Sequence, residues 1–356
     1  MIHQRLKAVR VAMTSLRLQS MLVTELPHVR YLTGFSGSCG LCLLTPTDQF
    51  FITDRRYKSQ APQEVRGFKI IIAKQTLFPL LAEKKLVPAN SRMGFESQHV
   101  SVADMLTLKR LLPLRRFIPA ANILEEVTAV KDEKEIELIR IAAGISDRVF
   151  QRLLKLVRPG VRECDLAAEI SYLHRMYGAE GDAFDPIVAS GERGALPHAH
   201  ASEKKIRKGE MVVLDFGCCY RGYNSDITRT LAVGRPTSEM KKVYGIVLEA
   251  QRKAIEGIQS GVAARSIDAI ARNHIRRSGY GRYFIHSLGH GLGIHVHDPL
   301  RLSALSKAVL EPGNVTTIEP GIYIPGRGGV RIEDDVVVRK SGCEILNTSS
   351  KELIIV

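Results

Sequence analysis

Two aspartates set inside apolar, strand-forming sequence constrain this chain more than any other feature. Asp215 follows Val212-Val213-Leu214 and precedes Phe216, and Asp226 lies in a second strand-like segment, 223–233. Tyr220, Arg221 and Gly222 between them read as a turn, so the stretch 211–233 reads as a β-hairpin. With the pairing centred between Tyr220 and Arg221, the two aspartates oppose each other on one face, their Cβ atoms roughly 5 Å apart. Carboxylates that close on a half-buried sheet repel and resist ionisation. A divalent cation is the usual remedy, because carboxylate oxygens are hard ligands. A single aspartate in a strand more often caps a turn or faces solvent; a second acidic pair downstream shifts the balance.

That second pair is Glu319 and Glu333. Val315-Thr316-Thr317-Ile318-Glu319 and Val330-Arg331-Ile332-Glu333 flank the turn Pro325-Gly326-Arg327-Gly328-Gly329. The two glutamates are symmetric about Gly326, so a hairpin centred there brings them face to face. Charged glutamates inside Val/Ile strands are costly to bury unless paired or metal-bound. Between the two hairpins, residues 284–298 read FIHSLGHGLGIHVHD, with His286, His290, His295 and His297 among three glycines. The glycines make a continuous helix doubtful, and no glutamate completes an HExxH site. Two Asp, two Glu and one His suit two divalent ions about 3.5–4 Å apart, a pairing fitted to hydrolysis of an amide or ester.

Composition excludes several other classes. No run of about 18 apolar residues exists to cross a membrane, and the basic N-terminus lacks the apolar core of a signal peptide. The expected location is the cytoplasm. Cys39 and Cys42 form a lone CxxC, and without a second one a zinc site is not expected. The net charge of +14 is concentrated early, with 18 Lys+Arg against 9 Asp+Glu up to Val130. No RNA-binding motif, zinc finger or basic-aromatic stripe accompanies it, so a scattered solvated surface is favoured over nucleic acid.

The element pattern is mixed α/β, in two domains, 1–127 and 128–356. A helix is expected over 2–20 and strands over 21–26, 39–45, 49–54 and 68–73, with 28–38 a glycine- and serine-punctuated loop. In the second domain, helices are expected to about 156 and over 164–177, 239–257 and 267–278. A strand at 184–191 runs into a loop carrying Pro197-His198-Ala199-His200.

At this point the sequence resembles the Xaa-Pro aminopeptidase and Xaa-Pro dipeptidase (prolidase) branch of the pita-bread metallopeptidases. The residues that carry the likeness are FDPIVASG (184–191), LPHA (196–199), VLDFG (213–217), SDITRT (225–230), HSLGHGLG (286–293), VHDP (296–299), IEPGIY (318–323) and GGVRIEDD (328–335). RYLTGFSGS (30–38) and TDRRY (53–57) resemble the creatinase-type N-terminal domain. The implied fold is thus a creatinase-type α/β domain followed by a pita-bread catalytic domain.

The resemblance implies that Asp215, Asp226, His290, Glu319 and Glu333 hold two metal ions, Mn2+ foremost, with Co2+, Zn2+ or Fe2+ as alternatives. Asp226 and Glu333 would bridge, Asp215 would serve one ion, and His290 with Glu319 the other. Glu319 would also orient or deprotonate the attacking water. His198, His286 and His297 match histidines that bind substrate and stabilise the tetrahedral intermediate. Arg331 would pair with the ligand carboxylates and hold them ionised. The implied substrates are proline-containing peptides, and the implied assembly is a homodimer. His295 is a departure, since its position is usually acidic in these enzymes.

Within this family an aminopeptidase is preferred over a strict dipeptidase, because 296–310 shows no insertion to clamp a dipeptide's carboxylate. A non-catalytic binding protein on the same fold is a further alternative, disfavoured by the complete ligand set.

Overall fold

The computed structural model describes residues 2–356, which divide into two compact units, one ending at Thr128 and one running from Ala129 to Val356. The first holds a six-stranded sheet in the spatial order Lys69–Ala73, Gln49–Asp54, Leu41–Leu44, Ser20–Val23, Arg92–Phe95, Arg116–Pro119. The sheet is mixed: Ser20–Val23 pairs antiparallel with Leu41–Leu44 and parallel with Arg92–Phe95. These central strands are buried throughout, which is why they read as unbroken apolar runs without alternation. The thiol of Cys42 lies in one of them, fully buried and free.

Two local expectations change here. The first helix ends at Ser15. The segment read as a loop after residue 28 begins with a helix, Leu26–Thr33. Pro27 sits in its first turn, where no amide donor is needed, and Gly34 closes it in the left-handed region at φ 87°. Gly34, expected within a loop, instead ends a helix that Pro27 helps to begin.

The second unit pairs each of its main antiparallel sheets with two helices. In the first half, Met211–Phe216 lies between Ile187–Ser190 and Ile227–Ala232. Val212, Leu214 and Phe216 point to a core shared with Val149, Phe150, Ile170 and Leu173 of helices Glu133–Leu153 and Glu163–Met176. Side chains alternate along a strand, so Val213 and Asp215 face the other way. In the second half, Val315–Ile318 and Asp334–Val338 pair in a five-stranded sheet. Ile318, Val336 and Val338 pack on Val247, Ala254, Ile267 and Ala271 of helices Ser238–Glu256 and Ala264–Arg277. Helices therefore cover one face of each half. Asp215 points to the opposite face, while Asp334 stays on the helix side, where Gln251 Nε2 donates to it at 2.7 Å.

The aspartate hairpin differs from its expected register by two residues. Its turn is Arg221-Gly222, both at positive φ (49° and 81°), and Tyr220 faces Tyr223. Asp215 is consequently opposite Thr228, not Asp226. Because side chains repeat every two residues, a shift of two keeps both aspartates on one face as diagonal neighbours. The strand also breaks at Gly217, where a Cβ would lie 1.8 Å from the Ser225 carbonyl oxygen. The glutamate hairpin keeps the expected register. Ile324 faces Gly328, Gly321 faces Arg331, and Ile318 faces Asp334, which leaves Glu319 and Glu333 at facing positions between the paired segments.

Candidate metal centre

Asp215, Asp226, His290, Glu319 and Glu333 line one cleft of about 470 Å³, together with His198, His286, His297 and Arg331. The stretches that supply them are spread along the chain, with His290 64 residues after Asp226 and Glu333 118 after Asp215, and the two sheets bring them together. Direct bonds join the sheets at this point. The Glu333 amide donates to the Thr228 carbonyl at 3.1 Å, and the Thr228 hydroxyl donates to Glu333 Oε2 at 2.6 Å. The Asp226 amide donates to Asp335 Oδ2 at 3.0 Å. From the buried side, the Arg229 guanidinium donates to the Glu333 carbonyl and to Asp334.

Burial strains the electrostatics. Asp226 and Glu333 are pushed well above the usual carboxylate range, first by burial and then by neighbouring carboxylates. Glu319 is pushed up to about 7 by burial, with Asp215 adding to the rise and Arg331 opposing it. Arg331 lies among these groups, and its Nη2 donates to Asp215 Oδ2. One guanidinium cannot balance four carboxylates, so further positive charge is needed for all of them to ionise.

The donor set fits divalent cations. Asp226, His290 and Glu333 offer ligand atoms that all lie within 4.8 Å of one another. Asp215 Oδ1 and Asp226 Oδ1 are buried with no hydrogen-bond partner among the described residues. His290 Nδ1 donates to the Gly291 carbonyl at 3.1 Å, which leaves the lone pair on Nε2. That nitrogen lies 3.5 Å from Glu319 Oε1 and 3.7 Å from Asp226 Oδ2. Burial and the nearby His297 hold the His290 imidazole down to about 4, so these contacts are with a neutral ring able to ligate a metal.

The other histidines divide by what their nitrogens do. His297 stacks edge-on against His290 with ring centroids 4.3 Å apart, and burial lowers its pKa, followed by Arg301 and His198. His198 is exposed in the cleft and has no hydrogen bond among the described residues. His286, expected to touch substrate, has both nitrogens occupied. Its Nδ1 donates to the Ser287 carbonyl at 2.7 Å, so Nε2 must accept, and it does so from the Tyr323 hydroxyl at 2.9 Å. Tyr323 in turn accepts from Arg331 Nη1 at 2.7 Å. His286, held down to about 4 by burial and then Arg331, thus braces the Tyr323–Arg331–Asp215 chain.

Sequence reasoning missed Tyr323, Arg301 and the apolar lining from Phe184, Ile187 and Val296. Tyr323 lies four residues after Glu319 in a strand facing the Arg331 strand, which was the available signal. Arg301 pairs with His290 across neighbouring strands and donates from Nη1 to the Leu300 carbonyl at 3.1 Å. No helix among the described residues is long and apolar enough to cross a membrane.

Comparison with known proteins agrees with this architecture. Residues 5–130 match the creatinase/prolidase N-terminal domain and residues 137–340 match metallopeptidase family M24. A Pyrococcus horikoshii Xaa-Pro dipeptidase is 38% identical over 99% of both chains. The solved Xaa-Pro dipeptidase from Bacillus anthracis is 41% identical, with TM-score 0.97 over 100% of both chains. An X-Pro aminopeptidase from Thermotoga maritima is 39% identical, with TM-score 0.89 over 95% of this chain and 98% of its own. With acidic residues from two helix-backed half-sheets meeting around a bare imidazole nitrogen, and likeness running through both units, this chain belongs to metallopeptidase family M24.

Proposed function

We propose that the chain is an Xaa-Pro dipeptidase that works with two divalent metal ions, Mn2+ foremost. The observation that carries this reading is the cleft itself, where four carboxylates and the His290 Nε2 lone pair converge beside Arg301. The sequence-based preference for an aminopeptidase rested on the lack of a carboxylate clamp in 296–310. Arg301 lies in that run, lines the cleft, and spends only Nη1 on hydrogen bonds among the described residues. A guanidinium with unspent donors suits the C-terminal carboxylate of a dipeptide. The relatives named Xaa-Pro dipeptidase support the same correction.

In this reading Asp215, Asp226, His290, Glu319 and Glu333 would hold the ions. Two ions held there would supply Lewis-acid polarisation of the scissile carbonyl and the charge that keeps the carboxylates ionised. Glu319, with Oε1 oriented by the Thr317 hydroxyl at 3.1 Å, takes a proton from the attacking water. The new bond forms between that water oxygen and the carbonyl carbon. The C–N bond then breaks as the proline nitrogen gains the proton. His198 and His297 face the cleft as donors for the developing oxyanion and the leaving nitrogen. Phe184, Ile187 and Val296 give the pyrrolidine ring an apolar surface. A homodimer is proposed on the resemblance alone, and sedimentation tests it.

The deciding experiment strips the metal, restores Mn2+, Co2+ or Zn2+, and follows release of the free Xaa residue, with Glu333→Ala as control. The matching products are proline from Xaa-Pro and Pro-Yaa from Xaa-Pro-Yaa. Metal-dependent cleavage of the dipeptide alone, lost in the control, is the expected result. Cleavage of both peptides would restore the aminopeptidase reading. Cleavage of neither would overturn the Xaa-Pro assignment.

A further inference from the structure

His198 reaches the cleft from a loop, yet its exposed imidazole makes no hydrogen bond of its own among the described residues. Its place is inherited from the backbone that carries it. That backbone leaves the strand Ile187–Ser190, whose Ile187 faces Asp215, passes through the short 3-10 turn Gly191–Ala195, and returns by Ser202. One buried carboxylate holds both ends and the middle of this excursion. Glu163 Oε1 accepts from the Ser190 amide and from the Ser190 hydroxyl, both at 2.8 Å. Glu163 Oε2 accepts from Arg193 Nε at 2.9 Å, the Ser202 amide at 3.2 Å and the Ser202 hydroxyl at 2.6 Å. Arg193 carries the tie onward, donating from Nη2 to the His200 carbonyl at 2.6 Å. The helix that Glu163 begins adds one more bond, from the Cys164 amide to the Ser202 carbonyl at 2.9 Å.

We propose that Glu163 is a positioning residue for His198: its fully buried carboxylate, taking five donors from Ser190, Arg193 and Ser202, closes the loop that holds this imidazole in the cleft. The chemistry favours an anion at this spot. Every group facing Glu163 is a donor, and a helix N-terminus adds partial positive charge. A neutral amide of the same size meets those donors with its own NH2 on one side and loses two or three of the bonds. Beyond these ties, Lys204 Nζ donates to the Ser190 hydroxyl at 2.7 Å and the Leu196 amide to the Arg193 carbonyl at 3.0 Å. The bonds nearest His198, from the Ala199 amide to the Leu196 carbonyl and from Arg331 Nη1 to the Pro197 carbonyl, are each 3.3 Å. Without the carboxylate the loop keeps its course but loses its setting, and the imidazole moves with it. This role rests on the peptidase reading for its kinetic consequence, and on the geometry alone for its structural one.

The test uses the intact chain loaded with Mn2+ and an Xaa-Pro dipeptide, comparing Glu163→Gln, His198→Ala and the double variant. Glu163→Gln is expected to lower kcat/KM roughly tenfold or more. In the double variant its effect should largely vanish, because the group it positions is already gone. Ser202→Ala, a milder cut at the same tie, should show a smaller loss that His198→Ala likewise absorbs; it serves if Glu163→Gln does not fold. Losses that multiply in the double variants, or wild-type kinetics in Glu163→Gln, would overturn the proposal. If the wild type hydrolyses no Xaa-Pro peptide, the peptidase reading falls and the loop is judged separately. In the Zn2+-loaded chain the His198 ring resonance should then shift or broaden in Glu163→Gln while that of His297 stays. An unchanged His198 resonance would overturn the proposal.

Discussion

Stripping the metal should make the second unit less stable as pH rises, the reverse of ordinary acid denaturation. Glu319 is raised from an ordinary 4.5 to about 7, chiefly by burial. Between those values the folded chain keeps a proton that the unfolded chain has released. The folded state therefore binds more protons, and by linkage its stability falls as pH climbs through that window and levels above it. A shift of about 2.5 units at ~1.4 kcal/mol each makes the loss about 3 kcal/mol. Asp226 and Glu333 are displaced in the same direction and steepen the fall. The assay is urea denaturation of metal-stripped protein, followed by circular dichroism at pH 5 and pH 7.5. Glu319→Gln, which cannot lose a proton, should flatten the slope by about 3 kcal/mol over that interval. Restored Mn2+ should abolish the fall in the wild type, since binding ejects the same protons and tightens with pH. Metal-free stability that is flat or rising from pH 4.5 to 7, or a Glu319→Gln slope like the wild type, would refute the argument.

Three more outcomes follow from particular contacts. His28, buried between Glu25 at 2.7 Å and Glu96 at 2.6 Å, is raised to about 9 by these partners against the opposing effect of burial. Its contribution is complete below about pH 6.5 and lost toward pH 9, about 3 kcal/mol in all; a thermal-denaturation series on His28→Asn should lack that loss. Gly217→Ala forces a Cβ against the Ser225 carbonyl and should cost about 3 kcal/mol, read as a lower urea midpoint and weaker metal retention. Arg301→Ala should raise KM for an Xaa-Pro dipeptide about 10- to 100-fold, the range of a lost charged hydrogen bond, while a C-terminally amidated substrate is little affected. Equal losses on both substrates would remove Arg301 from the carboxylate site.

Much of the candidate centre is legible in the sequence because it is written in local patterns. An aspartate amid Val and Leu, or a glutamate amid Val and Ile, signals a buried charge wherever the strand ends up. The symmetric spacing of Glu319 and Glu333 about Gly326 predicts their register, since the turn there is short and glycine-rich. The aspartate hairpin shows where such reasoning slips. Arg221 takes a left-handed conformation unusual for a side chain of its size, which moves the turn by one residue and the register by two. The helix Leu26–Thr33 was hidden for a similar reason, as proline and glycine begin and end helices as readily as they mark loops.

What the sequence determined by itself is the kind of chemistry: hard oxygen ligands, one imidazole, a backbone of alternating strands and amphipathic helices, and the family to which these belong. Those features depend on residue type and on spacing over a few positions, which a linear chain records. What only the tertiary structure decided is how the nitrogens and charges are spent. His286 turns from a substrate contact into a brace because Tyr323, 37 residues away, takes its second nitrogen. Arg301 becomes a candidate anchor because its strand borders His290. Glu163 reaches the His198 loop through donors 27 to 39 residues along the chain. Hydrogen bonds and desolvation act across space and carry no mark in sequence order, so these roles wait on the packing of the two sheets.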